Sequence, residues 1–188
     1  MRVGVITSDF RVYYRLVKIL KGMKINFHSL VSMEGISEYD VVFSDMDLNF
    51  SNCYRTNGKN EYWIRQMLLS GHARELVIGI DPGPNPGVAT ISDGRVLDSR
   101  NLYELEDVLK YVENVTQQCD YDRLKIKIGN GDRINREKII TSLRNYDLEI
   151  IREDGSSRSL KRGRDWEAAI KIATSNDIIE KRNKKIKL

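Results

Sequence analysis

The sequence predicts an α/β protein in two parts, and three observations support this prediction. Short apolar stretches with the length of buried strands alternate with stretches of helical periodicity along the chain. The dipeptide Asp93-Gly94 separates two apolar runs, which is the strongest short-range signal for a β-hairpin. A polar, turn-rich stretch at 46–59 precedes the second series of elements. We therefore expect two domains, at residues 1–74 and 75–188.

The first part has the pattern of a small βαβ-type domain to which the sequence assigns no role. Ser8-Asp9 supplies a helix N-cap after the first strand. Asp45 ends a later predicted strand, as in a receiver-like domain, but the paired acids that a receiver carries after its first strand are missing. A small α/β domain that packs on its neighbour or contacts a partner is the simpler interpretation. The predicted elements are a strand at 2–6, a helix ending at Gly22, strands at 25–30 and 40–45, and a short helix at 61–70.

The second part is predicted to follow the order β-β-β-α-β-α-β-α. Its first strand ends in Asp81 and runs into a Pro-Gly turn at 82–87, which contains all three prolines of the chain. The predicted elements are strands at 76–81, 88–92 and 95–99, a helix at 102–118, a strand at 124–128, a helix at 135–145, a strand at 148–152 and a helix beginning near Asp165.

Composition excludes several classes of protein. The chain has 188 residues, of which 40% are hydrophobic and 31% charged, so it has enough apolar material for a core. No apolar run approaches the roughly 18 residues that a bilayer span requires. Two cysteines and two histidines argue against a disulfide scaffold and a zinc site. We expect a soluble, cytoplasmic protein without a membrane partner.

The distribution of charge points to a polyanionic partner. The whole chain carries a formal charge of +4, whereas the residues from Gly155 to the end carry +6. A basic segment on a near-neutral body is typical of proteins that bind nucleic acid. The alternative is a solvated basic surface that only keeps the protein dispersed.

Four short motifs follow one another in the second part. They are Ile78-Gly79-Ile80-Asp81-Pro82-Gly83 followed by Gly87-Val88-Ala89, then Ile128-Gly129-Asn130-Gly131, then Arg152-Glu153-Asp154-Gly155-Ser156-Ser157, and finally the helix from Asp165 to Ala173. Taken together, these motifs resemble the ribonuclease H-like superfamily, and the closest resemblance is to its Holliday-junction resolvase branch, RuvC and the YqgF-type domains. The resemblance covers roughly residues 75–175, whereas residues 1–74 lie outside it.

This resemblance implies a metal-dependent nuclease that hydrolyses phosphodiesters in structured nucleic acid. Carboxylates at one edge of a sheet hold Mg²⁺ or Mn²⁺, and paired ions activate a water and stabilise the leaving oxygen. DNA and RNA are both open as substrates, and so is a homodimer. The expected catalytic residues are Asp81, Glu153 and Asp165. The expected metal ligands are Asp81, Asp132, Glu153 and Asp165. The expected nucleic-acid contacts are Arg158, Lys161, Arg162 and Arg164.

Two departures from the resolvase pattern keep other interpretations open. The strand before Gly129 does not end in the glutamate found in the resolvases. Ala168 stands where their last helix has a second acid, and Glu167 points about 100° away around that helix. A non-catalytic nucleic-acid-binding or scaffold protein is therefore the alternative. An actin-like phosphate-binding domain is a minor alternative, suggested by the turn at Gly79-Ile80-Asp81-Pro82-Gly83.

Overall fold

The computed structural model describes residues 1–153 and 165–184, and the chain forms two compact units, Met1–Leu68 and Leu69–Leu188. Both units combine helices with a sheet, so the α/β class predicted from the sequence is confirmed. No helix within the described residues has the length and apolar character needed to cross a bilayer.

The first unit is built on a parallel four-stranded sheet in the order β2-β1-β3-β4. One strand, β4, was not predicted, because it is only three residues long and lies in the polar stretch that we interpreted as turns. It is held by β3, with Val42 opposite Cys53. The elements are β1 (Val3–Ile6), α1 (Phe10–Gly22), β2 (Phe27–Ser29), β3 (Val41–Ser44), β4 (Cys53–Arg55) and α2 (Glu61–Leu69).

Asp45 has a structural role in the first unit. It follows β3, and its carboxylate accepts hydrogen bonds from the backbone N–H groups of Ser8, at 2.9 Å, and Asp9, at 2.8 Å. Burial acts to raise the pKa of Asp45, but these hydrogen bonds outweigh it and lower the pKa. Asp9 is the N-cap of α1, as predicted, and accepts from the N–H of Arg11. Asp45 thus joins the end of β3 to the loop that starts α1.

The second unit has a mixed six-stranded sheet in the order β10-β9-β8-β5-β6-β7. The strands β5, β8 and β9 are parallel, while β6, β7 and β10 run antiparallel to their neighbours. The predicted order of elements is present, with an additional strand, β10, that we had interpreted as part of a basic tail. The elements are β5 (Ala73–Asp81), β6 (Gly87–Ser92), β7 (Arg95–Asn101), α3 (Glu106–Gln118), β8 (Tyr121–Gly129), α4 (Arg133–Ser142), β9 (Leu148–Ile151), α5 (Asp165–Thr174) and β10 (Ile178–Arg182).

The predicted hairpin is confirmed, and its turn organises the start of β5. Asp93 and Gly94 both have positive φ, 43° and 80°, as a type I′ turn requires. The Asp93 carboxylate accepts hydrogen bonds from the backbone N–H groups of Arg74 and Glu75. The strand β5 therefore begins at Ala73, three residues before the start of the strand predicted at 76–81.

Glycines on two strands allow α5 to lie directly on the sheet. A Cβ at Gly79 would overlap the carbonyl oxygen of Ala169, and a Cβ at Gly87 would overlap that of Asp165. At the other end of α5, the buried Lys127 of β8 donates hydrogen bonds to the carbonyl oxygens of Ala173, at 3.0 Å, and Ser175, at 2.6 Å. The helix is therefore fixed to the sheet at both ends.

Candidate active site

Two strand ends and one helix start bring three of the predicted site residues to one edge of the second sheet. Asp81 is the last residue of β5, and Glu153 lies two residues beyond β9. Because β5, β8 and β9 are parallel, their carboxyl ends meet at the same edge. Asp165 is the first residue of α5.

The register of β5 and β6 orients the Asp81 side chain. Asp81 is paired with Gly87, and paired residues on neighbouring strands project to the same face of the sheet. The missing side chain of Gly87 leaves the space that the backbone of Asp165 occupies. Asp81 therefore lies on the sheet face that α5 covers, next to the start of that helix.

Glu153 fills the position that a side chain at Gly129 would take. A Cβ at Gly129 would overlap Oε1 of Glu153, and a Cβ at Gly131 would lie 3.0 Å from the same atom. The backbone N–H of Gly131 donates a hydrogen bond of 3.0 Å to Oε1. At the end of β8, where the resolvase pattern has a glutamate, this chain therefore has a carboxylate that comes from the end of β9.

Two asparagines that the sequence analysis missed hold these acids in place. The side-chain oxygen of Asn130 accepts from the backbone N–H of Glu153 at 2.9 Å. Asn101, at the end of β7, accepts from the N–H of Trp166 at 2.9 Å and donates to Asp165 Oδ2 at 3.4 Å. Both stand at the ends of strands, which is the signal that could have identified them.

The proximity of the three acids changes the pKa of Asp81. Burial, together with the negative charges of Glu153 and Asp165, raises the pKa of Asp81 from 3.8 to about 7. Such a shift marks a site where negative charge is concentrated, and no cation of the described residues is among the causes that act on Asp81. Asp81 is thus half protonated near neutral pH when nothing is bound.

The other predicted site residues have different locations. Asp132 is the N-cap of α4, and its oxygens accept hydrogen bonds from the backbone and side-chain nitrogens of Asn135, which is a capping role. The predicted nucleic-acid contacts lie outside the described residues: Arg158, Lys161, Arg162 and Arg164.

The three acids interact electrostatically, but their side chains are not grouped as the ligands of one metal ion. Within residues 1–153 and 165–184, no three His, Cys, Asp or Glu side chains are grouped so that they could hold a metal ion. A metal–oxygen bond to Mg²⁺ is about 2.1 Å long, whereas charges interact over several ångströms. Mg²⁺ keeps several waters and takes only one or two carboxylates beside substrate phosphates, so a site for such an ion does not require three carboxylates grouped around it.

Comparisons with family models, with curated proteins and with solved structures find no match to this chain. Function is therefore inferred from the residues and their geometry.

Removing one neighbouring charge should lower the pKa of Asp81. In the Glu153→Gln variant, one of the two negative charges that disfavour ionisation of Asp81 is lost, so its pKa should move from about 7 towards 3.8. Carbon-13 NMR titration of the aspartate carboxyl groups measures this shift. The Glu149→Gln variant is the matched control, because Glu149 is paired with Lys181, at 3.3 Å, and is not one of the charges that raise the pKa of Asp81. An unchanged pKa in Glu153→Gln would show that the two acids do not interact.

Proposed function

We propose that the second unit is a ribonuclease H-like domain and that it hydrolyses phosphodiester bonds in nucleic acid with divalent metal ions. The observation that carries the proposal is the raised pKa of Asp81, caused by burial and by Glu153 and Asp165. The element order β-β-β-α-β-α-β-α, found from β5 to α5, supports the assignment of the fold.

Asp81, Glu153 and Asp165 are the residues that would hold Mg²⁺ or Mn²⁺. Such ions, when bound, supply an activated water and neutralise charge on the leaving oxygen. Gly131 and Asn130 orient the Glu153 carboxylate and its backbone, while Asn101 orients the start of α5. Because Asp81 releases its proton at about pH 7, cation binding should strengthen as the pH rises through that value.

The test is a cleavage assay on junction, duplex and single-stranded substrates with Mg²⁺ or Mn²⁺. We expect the wild-type protein to cut at least one of them and the Asp81→Asn variant to cut at least about 100-fold more slowly. Asp122→Asn is the matched control, since Asp122 lies near the opposite end of β8 and its side chain is 60% exposed. Equal cleavage by wild type and Asp81→Asn would contradict the proposal.

A specific observation favours a second candidate, a nucleic-acid-binding domain without catalysis. In the resolvase pattern the last helix has a second acid, but this chain has Ala168 at that position. Ala168 is buried and its side chain has no atom that could bind a metal ion. This candidate predicts that no substrate is cut and that nucleic-acid binding is the same in wild type and Asp81→Asn. Calorimetric titration with Mg²⁺ separates the two, because binding that depends on Asp81 is expected only of the metal-dependent enzyme.

A further inference from the structure

The first unit contains a surface cavity of about 440 Å³ that is lined by cationic side chains. Arg15, Lys18 and Ile19 line it from α1, and the loop that leads into α2 contributes Lys59 and Asn60. The volume lies within the range of small-molecule sites in proteins.

The charge of the lining is strongly positive. Three of its residues, Arg15, Lys18 and Lys59, are cations, and the lining holds a single carboxylate, Glu61, among the described residues. Glu61 is itself paired with Arg65, whose Nε lies 2.9 Å from Glu61 Oε1. A cavity of this composition attracts anions, and its walls reduce the screening of the charges by solvent.

Arg15 has a donor that lacks an acceptor. Its Nη2 donates to the carbonyl oxygen of Thr56 at 3.2 Å, which fixes the guanidinium against the first unit. Its Nε is buried and has no hydrogen-bond partner. A buried donor without an acceptor is destabilising, so a ligand that brings an oxygen acceptor within its reach would be favoured.

The loop side of the cavity is also fixed in conformation. Gly58 has a φ of 69°, and the side chain of Asn60 accepts a hydrogen bond from the backbone N–H of Tyr62 at 2.9 Å. Lys59 Nζ lies 5.5 Å from the centroid of the Trp63 ring, which holds the ammonium group beside the cavity. The Arg15 guanidinium and the Lys59 ammonium group are therefore placed before any ligand arrives.

We propose that this cavity binds a phosphate group. Guanidinium and ammonium groups together are the usual protein ligands of phosphate oxygens, and Arg15, Lys18 and Lys59 bring both kinds of group to this cavity. The phosphate comes either from a mononucleotide or from the backbone of a nucleic acid, which present the same chemistry. The site uses only residues of the first unit and is independent of the metal site proposed for the second.

The test is calorimetric titration of the full chain at constant ionic strength with three probes: inorganic phosphate, adenosine monophosphate, and a single-stranded oligonucleotide without terminal phosphates. The Lys18→Gln/Lys59→Gln double variant should bind at least about ten-fold more weakly, because two charge-assisted contacts are lost. The matched control is Lys21→Gln, an exposed lysine of α1 outside the cavity lining. Circular dichroism verifies that the variants are folded.

The outcomes distinguish the sources of phosphate and the failure of the proposal. If adenosine monophosphate binds, the oligonucleotide does not, and the double variant binds adenosine monophosphate more weakly than the wild type, the ligand is a free phosphate monoester. If the double variant binds the oligonucleotide more weakly than the wild type, the ligand is a backbone phosphate. In either case the NMR signal of the Arg15 Nε–H should shift on binding. Equal binding of every probe by wild type and double variant, or no binding and no shift of that signal, would overturn the proposal.

Discussion

At pH 8 and without divalent cations, the Asp81→Asn variant is expected to be more stable than the wild-type protein. The pKa of Asp81 is about 7 in the folded protein against 3.8 for the ordinary group, so the folded state binds this proton more tightly than the unfolded chain. The resulting stabilisation is fully present below about pH 4 and is lost as the pH rises to about 7. A full shift of this size corresponds to about 4 kcal/mol, and since Asp81 is only partly buried we expect about half of it.

Urea denaturation at a series of pH values from 4 to 8 measures this difference. The stability of the variant should exceed that of the wild type by an amount that grows with pH and levels off above about pH 7. Adding Mg²⁺ at pH 8 should stabilise the wild type and leave Asp81→Asn unchanged. The exposed-site control Asp122→Asn should stay within about 0.5 kcal/mol of wild type. A difference that is independent of pH would contradict the proposed ionisation.

The Gly79→Val variant is expected to lose the docking of α5. A Cβ at this position would overlap the carbonyl oxygen of Ala169 and lie 2.7 Å from the Cβ of Ala173. Overpacking of this kind costs about 1–3 kcal/mol or more, and a contact with helix backbone cannot be relieved by a side-chain rotation. Moving α5 would also move Asp165, so we expect a loss of about 3 kcal/mol together with weaker metal binding.

Fluorescence of Trp166 during urea denaturation reports on α5 directly. The second tryptophan, Trp63, lies in the first unit, and a Trp63→Phe background removes its signal. The matched control is Gly83→Ala, because a Cβ at Gly83 would have only one neighbour, at 3.9 Å. If Gly79→Val unfolds at the same urea concentration as this control, the close approach of α5 to β5 is not required.

Local signals in the sequence predicted the hairpin and most of the strands, but not the shortest elements. Asp93-Gly94 was identified correctly because its dipeptide and the flanking apolar runs both favour a type I′ turn. The strands β4 and β10 were missed because neither has a buried, alternating pattern of its own. Each is formed by pairing with the strand that precedes it in the chain, β3 and β9 respectively. Pairing of this kind cannot be deduced from a local window.

The acids of the candidate site were predictable as strand-end and helix-start residues, whereas their supports were not. Asp81 and Asp165 were selected from the resemblance to the resolvases, as the carboxylates at the end of the first strand and at the start of the last helix. The replacement of a side chain at Gly129 by the Glu153 carboxylate depends on a close approach between two chain segments, which no single motif contains. Asp132 was predicted as a metal ligand, and in the structure it accepts from Asn135 as the N-cap of α4. The contribution of the basic residues between 158 and 164 stays a prediction.

The two outer strands of the second sheet have features that oppose edge-to-edge aggregation of this unit. An uncovered edge strand offers unpaired N–H and C=O groups to any similar chain. Here β10 carries Glu180, Lys181 and Arg182, and its pairing with β9 is interrupted between Ile178 and Glu180. At the opposite edge, the pairing of β7 with β6 is interrupted between Thr90 and Ile91. Charge and irregular pairing both oppose the addition of another strand, so concentrated solutions of the protein should resist edge-to-edge fibril formation.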